Sequence, residues 1–273
     1  MNGHTHHLHS HDAGGVVWTV LLPVALVVVA AAAYLLLVRR AGRRHPARGW
    51  GSLRTVSFLC GCALLITALS PPLARIADED FRGHMAQHML IGMYAPLALM
   101  LGAPVTLLLR TLPTARARLL TGALRSRPVV VLAHPVTALV LSTGSLAVLY
   151  FTPLYQTVME QPALHWLLRA HFLLSGCLFA WSIAGPDPAP LRPGVPARLT
   201  VLGVAVAAHA TVSQLVYGGF LVDIHAPVDQ VRGGAEIMYY GGDIAELLLA
   251  AALVATWRPA RQRRQAASGA LVG

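Results

Sequence analysis

Seven stretches of about twenty residues, nearly free of charge, leave this chain very few ways to fold. They run at about 16–38, 53–69, 84–109, 129–150, 163–184, 198–217 and 235–257. Each matches the thickness of a bilayer's hydrocarbon core when helical. In lipid every backbone N–H and C=O must find its partner inside the protein, so such a chain closes into helices. Only 12% of its residues are charged, about half the share in a soluble domain. The expectation is an all-α, polytopic membrane helix bundle of about seven transmembrane helices.

Charge then orients the bundle. There is no lysine, and all but four of the 21 arginines (Arg75, Arg82, Arg169 and Arg232) fall on one side of the seven stretches. Arginine-rich loops stay in the cytoplasm, which puts the N-terminus outside and the C-terminus inside. The basic residues follow the first apolar run instead of preceding it, so that run reads as a span and not as a signal peptide. Three segments result: an extracytoplasmic tail over 1–15, a seven-helix domain over 16–257 and a basic cytoplasmic tail over 258–273. A net charge of +10 spread over loops reads as topology and contact with anionic lipid. No nucleic-acid-binding motif accompanies it. Pro96 and Pro104, with Gly102 close by, predict a kink in span three. Residues 115–126 read as a short interfacial helix, 78–80 as an acidic outer loop, and Asp187-Pro188 as a cytoplasmic turn.

The tail carries His4, His6, His7, His9 and His11 with no apolar pattern, so it reads as disordered and able to hold metal weakly. Cys60 and Cys62 point about 200° apart on a helix, and with Cys177 they read as small buried apolar residues.

The chemistry-bearing residues lie inside the spans, where a charged group costs roughly 2.5 to 3.5 kcal/mol. His84 and His88 stack on one helical face, with Met85 and Met89 beside them and Met93 continuing the arc. Imidazole and thioether together suit copper. Span five carries His165, Arg169 and His171, span six His209, and span seven Glu236, Asp243 and Glu246, with Glu236, Tyr240 and Asp243 on one face. At a rise of about 1.5 Å per residue, His84 and His165 lie at the outer surface and His88 about 6 Å below it. His171 and Asp243 come about 12 Å deep, and His209 and Glu246 about 15 Å. His134 sits near the cytoplasmic end of span four as a cap or interfacial residue. Several readings fit these groups: glue between helices, a metal path whose imidazoles are oriented by carboxylates, paired histidines on a haem, or a proton relay through Asp243, Glu246 and His209. Hydrolase, zinc-protease and nucleotide-loop signatures are absent, which argues against an enzyme.

Three places in order along the chain carry a family resemblance. The first is His84-Met85-Ala86-Gln87-His88-Met89-Leu90, followed by Ala95-Pro96 and Leu101-Gly102-Ala103-Pro104. The second is His165 and His171, then Gly176, Trp181 and Asp187-Pro188. The third is Asp229-Gln230, Gly233-Gly234 and Met238. Over residues 53–257 the chain resembles the multi-spanning CtaG-type cytochrome c oxidase assembly factors of bacteria. Departures are the His-rich tail and Tyr239, where the family often has tryptophan. The resemblance implies a multi-pass plasma-membrane protein that helps mature a caa- or aa-type haem–copper oxidase, supplying or inserting copper, and not a catalyst. Its implied partners are cytochrome c oxidase subunits or other assembly proteins.

Together these readings lead to a transient copper site at the extracytoplasmic side. His84 and His88 are its candidate ligands, Met85 and Met89 softer ones, with His165 and His171 facing them from span five. His209, Asp243 and Glu246 form a deeper polar site, and Asp229 and Gln230 hold the loop over it. The alternatives are a haem-binding electron-transfer protein and a metal-free assembly scaffold.

Overall fold

A computed structural model of the chain describes residues 13–44, 46, 49–190, 192–222 and 224–255, with side chains from residue 21. The tail histidines His4, His6, His7, His9 and His11, and residues 258–273, lie outside the described residues. Every regular element among those described is helical. Six helices are long and apolar enough to cross a membrane: Leu21–Arg44, Ser52–Leu69, Phe81–Thr111, Pro162–Ile183, Val195–Gly218 and Val228–Ala255. A bent pair, Pro135–Tyr150 with Leu154–Glu160 turned by 86°, brings the number to seven when it is counted as one span.

In chain order α1 is Ala13–Arg44, α2 Ser52–Leu69, α3 Pro71–Glu79, α4 Phe81–Met89, α5 Ala95–Leu101, α6 Pro104–Thr111 and α7 Thr114–Leu124. They are followed by α8 Arg127–Leu132, α9 Pro135–Leu139, α10 Ser145–Tyr150, α11 Leu154–Glu160, α12 Pro162–Ile183, α13 Val195–Gly218 and α14 Val228–Ala255. One end of the bundle carries α3, α11 and His84; the other carries most of the described arginines. The interfacial helix expected at 115–126 is α7. The acidic loop expected at 78–80 instead closes a helix. Pro71 and Pro72 end α2 but also start α3, where proline's fixed φ suits the first turn and its missing N–H costs nothing. Asp80 then caps α4, accepting from Arg82 N–H at 2.8 Å. The Arg82 guanidinium and backbone hold the Asp80 carboxyl below its usual range, so the cap stays charged until pH falls through that lowered value.

Span three breaks twice, and both breaks are satisfied. Ahead of Pro96 the helix widens into a π turn over Leu90–Tyr94, because proline offers no N–H to the carbonyl of Gly92. Gly92 and Gly176 then meet where α12 crosses: a Cβ at Gly176 would fall on the carbonyl oxygen of Gly92. The second break is at Gly102-Ala103, with Ala103 in the left-handed region (φ 52°). The open carbonyl of Gly102 accepts from Tyr34 Oη at 2.7 Å, and Tyr34 stacks on Phe58 and accepts from Trp50 Nε1. The open N–H groups of Val105 and Thr106 donate to the buried Asp187 carboxylate at 3.0 and 2.6 Å. The Asp187-Pro188 turn is therefore a cap delivered from the loop that follows α12. Arg192 fixes that turn by donating to the carbonyls of Trp181, Gly185 and Asp187. Replacing Asp187 with asparagine puts an amide N–H2 where a carboxylate oxygen accepts. The expected cost is about 2 kcal/mol, read as a lower thermal midpoint of the purified protein in detergent; an unchanged midpoint contradicts this role.

Span four is interrupted as well. His134 Nδ1 accepts from Val136 N–H and starts α9, and a π turn over Val140–Gly144 precedes α10.

Candidate functional site

The site is built on α4. Residues four apart share a helical face and neighbours sit 100° away, so α4 shows two different faces to the bundle. His84 and His88 turn toward α12. The His84 ring lies 6.2 Å from that of His165, centroid to centroid, and edge-on to Tyr155 at 5.5 Å. The His88 ring stands edge-on to Phe172 at 4.4 Å. Met85 and Met89 turn toward α14. Met85 is fully buried against Gly234, and its sulfur accepts from Tyr150 Oη at 3.6 Å. The Met89 sulfur packs over Gly241.

His84, Gln87, His88, His165, Arg169 and Phe172 line a pocket of about 20 Å³, room for one water-sized occupant and none for a porphyrin. Above it opens a vestibule of about 1060 Å³, rimmed by Asp78, Glu79 and Asp80, with His165 and Arg169 common to both. His84 Nδ1 is buried with no hydrogen-bond partner. A buried polar atom left so is costly. The 6.2 Å between rings admits one ion bound by a nitrogen of each at roughly 2.0 Å.

Two polar pocket residues fall outside the ligands expected from sequence. Gln87, buried, donates to Ala68 O at 2.7 Å and ties α4 to α2. Arg169 lies over the Trp166 ring at 4.9 Å and reaches Asp78 of α3 at 3.6 Å. The signal for it was available: an intramembrane arginine four residues after His165 shares that histidine's face.

Other expected residues lie apart. His171 turns to span four, with Nε2 3.1 Å from Leu141 O, a carbonyl of the π turn. Gln230 Oε1 accepts from Phe81 N–H at 3.3 Å, joining the start of α14 to that of α4, while Asp229 is exposed. Glu236, Tyr240 and Asp243 share a face of α14 as expected, but that face turns outward: Glu236 and Tyr240 are exposed and Asp243 is half-buried. The inward face of α14 carries Gly234, Ala235, Met238, Gly242, Ala245 and Glu246, because small residues let α13 and α4 come close. The His209 ring occupies the space a side chain at Gly242 would need. Among the described residues no three His, Cys, Asp or Glu side chains converge as a metal-holding group, and Cys60, Cys62 and Cys177 are unpaired thiols.

Uncharacterized proteins of Mycobacterium bovis and Mycobacterium tuberculosis are each 35% identical to the chain over 248 residues, which is 84% of this chain. One of Mycobacterium leprae is 34% identical over 250 residues. The chain spans 37% of the length of each of these relatives. No solved structure matches it. The profile of the cytochrome c oxidase caa3 assembly factors matches residues 32–260, from α1 past the end of α14 and across every helix of the site, and the chain belongs to that family.

Proposed function

We propose that this assembly factor holds copper in transit between His84 and His165, with His88 beneath them, and releases it to an oxidase component at the extracytoplasmic side. The observation that carries this reading is the buried, unpartnered Nδ1 of His84, in a ring whose centre lies 6.2 Å from that of His165. Neutral imidazoles are good ligands for copper, and two or three of them without a carboxylate bind it loosely enough to let it go. A partner entering the vestibule would add a donor and carry the ion away. Arg169 lines the pocket as well, and Asp78, 3.6 Å away, offsets part of its charge. The arginine-rich loops support an orientation with the vestibule outside the cytoplasm. The methionines serve from the other face: Met85 packs the α4–α14 contact, and its sulfur is engaged by Tyr150.

Anaerobic Cu(I) titration of the purified full-length protein against a competing chelator tests the assignment. The His84→Asn/His165→Asn double variant is expected to lose at least roughly tenfold in affinity at this site, about 1.4 kcal/mol, while keeping its thermal midpoint. An unchanged affinity overturns the ligand assignment. Normal oxidase copper content in cells carrying that variant would favour a metal-free scaffold.

A further inference from the structure

Below the histidine pocket the bundle buries a second pair of groups that the copper reading does not use. His209 of α13 and Glu246 of α14 are each only 3% exposed. His209 Nε2 and Glu246 Oε2 both lack any hydrogen-bond partner. Gly242 and Glu246 are one helical turn apart on the face of α14 that meets α13. The His209 ring fills the space beside Gly242. A helical side chain leans toward the N-terminus of its own helix, so Glu246 leans back toward the turn where His209 sits. The two unpartnered atoms therefore share one stretch of the α13–α14 interface without bonding each other. Met89 brings its sulfur against Gly241, the next residue of α14, at 3.5 Å from where a Cβ would stand. His88 lies within electrostatic reach of both His84 above and His209.

We infer that the space between His209 and Glu246 is a second cation station in the membrane interior, taking a monovalent soft cation. Charge selects the class. Glu246 is the one fully buried carboxylate here and balances one monovalent cation; Asp243, the other carboxylate within electrostatic reach of it, is only half-buried. Donor chemistry narrows it further: imidazole favours Cu(I) over alkali ions. That the ion is Cu(I) rests on the reading proposed for the upper pocket; the station itself rests on the two buried, unpartnered groups. His165, His84, His88, His209 and Glu246 then form one descending line, with His88 between the stations.

The test is anaerobic titration of the full-length protein in detergent with Ag(I), a monovalent soft cation that does not change oxidation state. Counted above the equivalents that the tail histidines and the three free thiols hold in a His84→Asn/His165→Asn/Glu246→Gln variant, wild type is expected to bind two. Glu246→Gln and His209→Asn should each bind one, and His84→Asn/His165→Asn should also bind one. Two equivalents retained in both Glu246→Gln and His209→Asn overturn the inner station. So does a wild type with one equivalent that is lost in His84→Asn/His165→Asn, which leaves the upper reading standing. A single equivalent lost in Glu246→Gln and kept in that double variant supports the inner station and overturns the upper one. No binding in wild type overturns both. If the Glu246 and His209 variants do not fold, infrared difference spectra of wild type decide: carboxyl bands should shift on saturation with Ag(I), and their constancy overturns the proposal.

Discussion

Gly176→Ala will destabilise the bundle more than any single substitution at the histidines. The reason is backbone against backbone. The π turn at Leu90–Tyr94 frees the Gly92 carbonyl, and α12 crosses it at Gly176 with no room for a methyl group. The new carbon would fall on that carbonyl oxygen and come within 2.9 Å of the Pro96 ring. Neither neighbour is the far end of a flexible side chain, so the helices must part. Overpacking typically costs about 1 to 3 kcal/mol, and a backbone clash belongs at about 3 kcal/mol or above. Gly203 of α13 is the control, because a Cβ there meets nothing within 4 Å. Gly203→Ala should be neutral or stabilise by up to about 1 kcal/mol through helix propensity. Thermal denaturation in detergent reads both. Equal midpoints for the two variants would show that the α5–α12 crossing is not as close as described.

How far such features were legible depends on whether one helix or several decide them. The spans were legible because hydrocarbon length and the arginine loops act locally. His84 and His165 could be placed at one depth by counting residues, since both begin spans at the same end. The split between the His and Met faces of α4 follows from 100° per residue, but which face meets α12 and which meets α14 depends on packing. The proline at 96 announced a disturbance; that it became a π turn was settled by the crossing at Gly176. Asp187 read as loop punctuation because its partners, Val105 and Thr106, are some eighty residues away. On α14 polar residues were a poor guide to the inner face. Glu236 and Tyr240 point outward, and the glycines and alanines that let helices approach mark the buried side. Arg169 was in plain sight, but its role needed Asp78 and Trp166 beside it.

Gly242→Ala will unseat His209 and separate the two proposed stations in one variant. A methyl group at Gly242 would overlap the His209 ring. The ring cannot swing freely, because it is buried between two helices that pack along their length. Either α13 and α14 part or the imidazole leaves its seat, and both cost energy in the overpacking range, about 2 to 3 kcal/mol. The pocket at His84 and His165 is built on α4 and α12, which do not pass through this contact. The expected result is a lower thermal midpoint, loss of the inner Ag(I) equivalent and an upper site of unchanged affinity. A double substitution, Gly242→Ala with His209→Ala, removes the clash by shortening the partner. It should recover most of the midpoint while leaving the inner equivalent absent, since the ligand is gone with the ring. Recovery of stability without recovery of binding separates a ligand role for His209 from a packing role. If the inner equivalent survives in the double variant, His209 only fills space and the ion is held without its imidazole.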